Sequence, residues 1–147
     1  MTFLHESFIG LVLSSSNSIF SQRGTIMSNA ITRHISGPVH SRIVEYNGLV
    51  FIAGTTADDR TVGCKEQTEE ILKKIDGFLA IVGTSKACLL SATVWLTDIR
   101  EKEEMNAAWK AWVDPDNKPA RACVESRLET PNTRVEIMVT AAKYQGT

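Results

Sequence analysis

The stretch "SRIVEYNGLVFIAGTT", residues 41–56, decides the fold. Ile43, Glu45 and Asn47 alternate with Val44 and Tyr46, the period of two expected of a strand. Asn47-Gly48 interrupts the pattern, and "LVFIAGTT" follows as an apolar, β-rich run. Two such runs around Asn-Gly predict a β-hairpin, because this dipeptide tolerates the positive φ angles of a two-residue turn. A sheet therefore begins here. "ADDRTVG", residues 57–63, reads as the loop that leaves it.

Beyond that loop the period changes. Between Lys65 and Val82, Ile71, Ile75, Phe78 and Val82 recur at spacings of four, three and four, with Leu72 and Leu79 beside them. Glu66, Glu69, Glu70, Lys73, Lys74 and Asp76 fill the other positions. This is an amphipathic helix, acidic at the end where its dipole favours anions, and Gly83 stops it. "LLSATVWLTD", residues 89–98, predicts a strand with Leu90, Ala92, Val94 and Leu96 on its inner face. Asp98 is placed to cap a second helix over roughly 101–113, which Asp114-Pro115 ends. "ARACVESRL" and "RVEIMVTAAK" read as two last strands around the turn "ETPN". The expected order is strand, strand, helix, strand, helix, strand, strand. That is an α+β fold, a sheet with two helices on one face.

The totals agree with one ordinary globular domain. The chain has 147 residues, 43% hydrophobic and 22% charged, with a net charge of −1. Such a charge gives no global attraction to nucleic acid or to an anionic membrane. No apolar run approaches the roughly 20 residues of a membrane-spanning helix. Three cysteines, Cys64, Cys88 and Cys123, at wide spacings and without a CxxC, fit neither a disulfide framework nor a zinc site. They read as free thiols of a reducing, cytoplasmic compartment. Residues 1–27 lack periodicity, and Met27 opens "MSNAITRHISG" like a fresh start. We expect an N-terminal extension or a misplaced start there, and a single domain over 28–147. Trp95, Trp109 and Trp112 read as packing, and His40 as a loop bystander.

The last two strands carry the candidate chemistry. Arg121, Cys123, Glu125 and Arg127 share one face of the first, and Ala122, Val124, Ser126 and Leu128 the other. In the second, Val135, Ile137, Val139 and Ala141 oppose Glu136, Met138, Thr140 and Ala142. The plainest arrangement turns the Ala122 and Val135 faces toward the helices. Cys123 and Met138 would then lie in solvent, where such residues are seldom found. With both helices spent, the expected cover is another copy of the chain, and Arg121 is expected at the margin of that interface. A partly buried arginine needs an anion. In a hairpin centred on Thr130-Pro131, Glu136 lies on the order of 13 Å away, too far for an ion pair. Arg121 is thus expected to hold an anionic ligand, since its fork matches a carboxylate.

"GPVHSRIVEYNGLVFIAG", "NAAWKAW", "PARACVESRL" and "VEIMVTAA" together resemble the reactive intermediate deaminase family, also called YjgF-like or L-PSP endoribonuclease. The resemblance runs from about Ile35 to Lys143. It implies a chorismate-mutase-like fold with a mixed sheet, assembled as a homotrimer with a pocket at each subunit interface. It also implies hydrolysis of reactive 2-imino acids and enamines to 2-oxo acids and ammonia, with no metal or organic cofactor. By that resemblance Arg121 grips the substrate carboxylate and Glu136 positions the attacking water. Asn106, Cys123 and Gly54 line the pocket. Two positions depart from the pattern. Val39 stands where the family's deaminases have tyrosine, and Ala53 where they commonly have serine, so two pocket hydroxyls are missing. His40 and Thr55 are candidates to restore some polarity. A non-catalytic carboxylate-binding module is the alternative at the same site, and a ribonuclease, against which the net charge argues, the more distant one.

Overall fold

The computed structural model describes residues 30–143. The expectation for residues 1–27 lies outside the described residues. Six strands and two helices follow in the order β1 (Thr32–Ser36), β2 (Ser41–Tyr46), β3 (Leu49–Thr56), α1 (Cys64–Ile81), β4 (Leu89–Leu96), α2 (Lys102–Trp112), β5 (Ala120–Glu125) and β6 (Val135–Ala142). They form one mixed sheet in the order β1-β2-β3-β6-β4-β5, with both helices on one face. The fold is α+β, as expected.

The hairpin forms as its sequence predicts. Tyr46 pairs with Leu49, and Asn47 and Gly48 take φ of 48° and 77°, the turn that matches the twist of the flanking strands. β1 was not foreseen. Its residues are nearly all exposed, so they show no apolar alternation to read.

α1 buries Ile71, Leu72, Ile75 and Leu79, each worth about 1.5–3 kcal/mol relative to exposure. It closes at Gly83, whose φ is 70°. The amides of Gly83 and Thr84 donate to the carbonyls of Ala80 and Leu79 at 3.1 Å each, which satisfies two of the four unpaired carbonyls at a helix end. Cys64 opens the helix fully buried. Burial, with the charge of Glu101 adding to it, pushes its thiol up to about 11.

Three readings need correction. First, β5 and β6 are not a hairpin: β5 pairs in parallel with β4, and β6 runs antiparallel between β3 and β4. Val135, Ile137, Val139 and Ala141 are all buried, so β6 belongs in the middle of the sheet. β5 has only Cys123 half-buried among its six residues, the profile of an edge. α2 is the crossover that carries the chain from β4 back to a parallel neighbour. Secondly, the faces of β5 are reversed. Cys123 stands beside Val94 and packs on the core, so Arg121 and Cys123 face the helix layer, and Ala122 and Val124 the open side. Thirdly, Leu90 is 47% exposed while Leu89 is buried. An irregular register between Leu89 and Ser91 exchanges their roles.

Among the described residues nothing covers the other face of the sheet. Phe51 and Met138 are each 42% exposed and Val124 is 44% exposed, with Tyr46 and Leu49 continuing the patch. Met138 is thus where its strand alternation places it.

Candidate functional site

Arg121 enters from the edge strand and reaches α2. Its Nη2 donates to Asn106 Oδ1 at 2.8 Å. Its guanidinium carbon lies 4.9 Å from the centre of the Trp109 ring, a cation–π distance. Nη1 approaches Met105 Sδ at 3.7 Å. Met105 and Trp109 are four apart on α2 and so share a face. Asn106 is buried, and its amide nitrogen donates to Glu103 Oε1 at 3.2 Å. The chain Glu103–Asn106–Arg121 therefore fixes one side of the guanidinium and leaves further N–H donors for a ligand. No carboxylate oxygen among the described residues lies within 4.0 Å of Arg121. Cys123, two residues along, lines the same side.

Glu136 belongs to the opposite face of the sheet, beside exposed Met138. It is half-buried and pairs with Thr56 across the ladder. Its carboxylate leans back over Gly54: a Cβ at residue 54 would stand 2.0 Å from Oε1. Gly54 is therefore there for space. The register slips between Ile52 and Thr55, so Ala53 and Gly54 form a bulge, a device that re-aims side chains beside sites. Arg42, on β2, donates from Nη1 to the Gly54 carbonyl at 3.2 Å.

The chain thus brings Arg121, Asn106 and Cys123 together, and separately Glu136, Gly54 and Ala53. Arg121 is level with Ala92, and Ala92 with Val139. Glu136 is three residues further along β6, two strands over and on the other face. Strand spacing and rise put the two Cα atoms on the order of 14 Å apart. Val39 stands in the exposed loop between β1 and β2, 90% accessible. Thr55 does not replace the missing hydroxyls, because it is buried and its Oγ1 donates to the Ala53 carbonyl at 2.9 Å. His40 is exposed, whereas His34 is the engaged histidine, with Nε2 2.6 Å from Glu45 Oε1. Four residues of these half-sites were not singled out from sequence for any part in a site: Glu103, Met105, Trp109 and Arg42. Trp109 was legible only as packing, and Arg42 signals itself only as the polar alternate of buried Ile43. Among the described residues no trio of His, Cys, Asp or Glu is arranged to hold a metal, and no helix is long and apolar enough to cross a membrane.

Residues 32–143 match the sequence pattern of the family described as Endoribonuclease L-PSP. The chain belongs to this family. It is 43% identical over 102 residues to a RutC family protein of Haemophilus ducreyi, covering 69% of this chain and 87% of that one. It is 34% identical over 102 residues to the RutC family protein YoaB of Escherichia coli, covering 69% and 89%. Among solved structures, a YjgF family protein of Neisseria meningitidis superposes with a TM-score of 0.76 at 41% identity, over 80% of this chain and 98% of its own. This L-PSP family chain therefore shares both sequence and fold with the YjgF proteins.

Proposed function

We propose that the protein hydrolyses reactive 2-imino acids and their enamines to 2-oxo acids and ammonia, in pockets between subunits of a homotrimer. The observation that carries this reading is the division of the site. A cation with free donors stands on the helix side at one edge, and a carboxylate with no hydrogen-bond or ion-pair partner among the described residues stands on the open face. Within one chain they cannot meet on a small molecule, but two copies can present them to each other. The bare apolar patch of the open face supports such an assembly, because patches of this kind mark interaction surfaces.

In the proposed pocket Arg121 holds the substrate carboxylate by its fork, oriented by Asn106 and Trp109. The imine carbon is already electrophilic, so orientation and delivery of water supply most of the catalysis. Glu136 accepts a proton from water as the water oxygen bonds to that carbon. That proton passes to nitrogen; as the carbon–nitrogen bond then breaks, the new hydroxyl gives up its own proton to form the carbonyl, and ammonia and a 2-oxo acid are released. Cys123 lines the pocket, and its half-buried position against the core suits packing better than nucleophilic attack. The reaction calls on no metal or organic cofactor, and the free thiols suit a cytoplasmic setting.

The test generates imines in situ with amino acid oxidases and follows their decay. Acceleration by this protein, abolished in Arg121→Ala with the oligomer intact by sedimentation, is the expected result. Binding of carboxylates without any acceleration across a panel of amino acids would leave only the binding-module reading. The family's description carries the word endoribonuclease, and salt-dependent RNA binding in the same preparation would favour that activity instead.

A further inference from the structure

Arg42 has no place in the scheme so far. It lies on β2 next to buried Ile43, so its side chain belongs to the open face of the sheet, and it is itself half-buried. Ile43 pairs with Ile52, which sets Arg42 beside Ala53. Its hydrogen-bond partner is a neutral carbonyl, that of Gly54. Arg60, Arg100 and Arg134 each have a carboxylate partner. Among the described residues Arg42 is the one half-buried arginine with no carboxylate oxygen within 4.0 Å. A guanidinium withdrawn from water without an anion is costly, and most of its five N–H donors are uncommitted. It leans on the same glycine over which the Glu136 carboxylate sits. Beside it, Ala53 offers a methyl group where a larger polar side chain would fill the space.

We infer that Arg42 is a specificity-determining residue that makes this a site for imines bearing a second anionic group, foremost the imines of acidic amino acids. Arg121 takes the carboxylate next to the imine carbon, and Arg42 takes the carboxylate of the side chain. The charges favour this assignment. Arg42, Arg121 and Glu136 together carry one net positive charge. A protonated imine with one carboxylate is neutral and leaves that charge in place. A protonated imine with two carboxylates carries one net negative charge and neutralises it. The small residue at position 53 provides room for the longer substrate.

This inference rests on the deaminase reading, and its test separates the two. Imines are generated from aspartate and glutamate, and from alanine and leucine, with matching oxidases, and kcat/KM is compared. The wild type is expected to prefer the acidic imines about ten- to hundred-fold, the range for a hydrogen bond to a charged group. Arg42→Gln is expected to collapse that ratio, and Arg42→Lys to retain part of it. Calorimetry with succinate and 2-oxoglutarate against propionate and pyruvate, at fixed ionic strength, gives a second readout that needs no turnover. Dicarboxylate preference lost in Arg42→Gln supports the assignment. No preference in the wild type overturns it without recourse to any variant. Equal losses for both imine classes in Arg42→Gln also overturn it, because Arg42 would then act through Glu136. Dicarboxylate preference in binding without hydrolysis of any imine would sink the deaminase reading and leave Arg42 assigned.

Discussion

At the scale of single residues, the proposed site depends on one atom that Gly54 lacks. A methyl group there collides with the far end of the flexible Glu136 side chain and not with backbone. Gly54→Ala should therefore displace the carboxylate and leave the fold intact. We expect about a hundred-fold loss in kcat/KM, the cost of a misplaced catalytic group, with a thermal midpoint close to the wild type. Arg121→Lys tests the other half. Lysine keeps the charge but loses the planar fork and its stacking on Trp109. On the proposed reading the substrate carboxylate is held in both the ground state and the transition state, so KM should rise about ten- to hundred-fold while kcat changes less. A fall in kcat at constant KM would show that Arg121 acts on the reacting atoms instead.

At the scale of elements, the end of α1 is a clean test of backbone conformation. Gly83 has φ of 70° and open space around its Cα, so Gly83→Ala strains only the backbone. It should cost about 1–2 kcal/mol in denaturant unfolding, with activity preserved. Gly83→Asn should cost less, since asparagine tolerates this region better. Such stops, the Asn47-Gly48 turn and the two amphipathic helices were legible in the sequence because each depends on neighbours within one or two turns of chain. The position of β5 was not. Alternation gives the two faces of a strand but not which face is inner or which strand lies beside it. Arg121 faces α2 because the α2 crossover sets β5 on the far edge, a decision made by the whole sheet. The exchange of Leu89 and Leu90 has the same origin, a register irregularity that no local pattern announces. The roles proposed for Asn106 and Glu136 were legible only through resemblance, since neither periodicity nor charge distinguishes them.

At the scale of the whole molecule, one layer of helices covers a sheet that has two faces. Phe51, Val124 and Met138 remain on the uncovered side. On the proposed assembly, Met138→Glu places a charge in the interface, where burial without a partner is prohibitive. Sedimentation should then report a monomer, and deaminase activity should vanish although neither Arg121 nor Glu136 has changed. A monomer that retained full activity would refute the divided site.

The separation of Arg121 from Glu136 across the sheet also has a genetic consequence. In the proposed homotrimer, a closed head-to-tail ring, each pocket takes one wall from each of two neighbours. Arg121→Ala and Glu136→Ala should each be inactive alone. Dissociated, mixed and reassembled, they should recover activity, because about one interface in four then joins an intact arginine wall to an intact glutamate wall by random assortment. Two dead alleles expressed in one cell would complement each other.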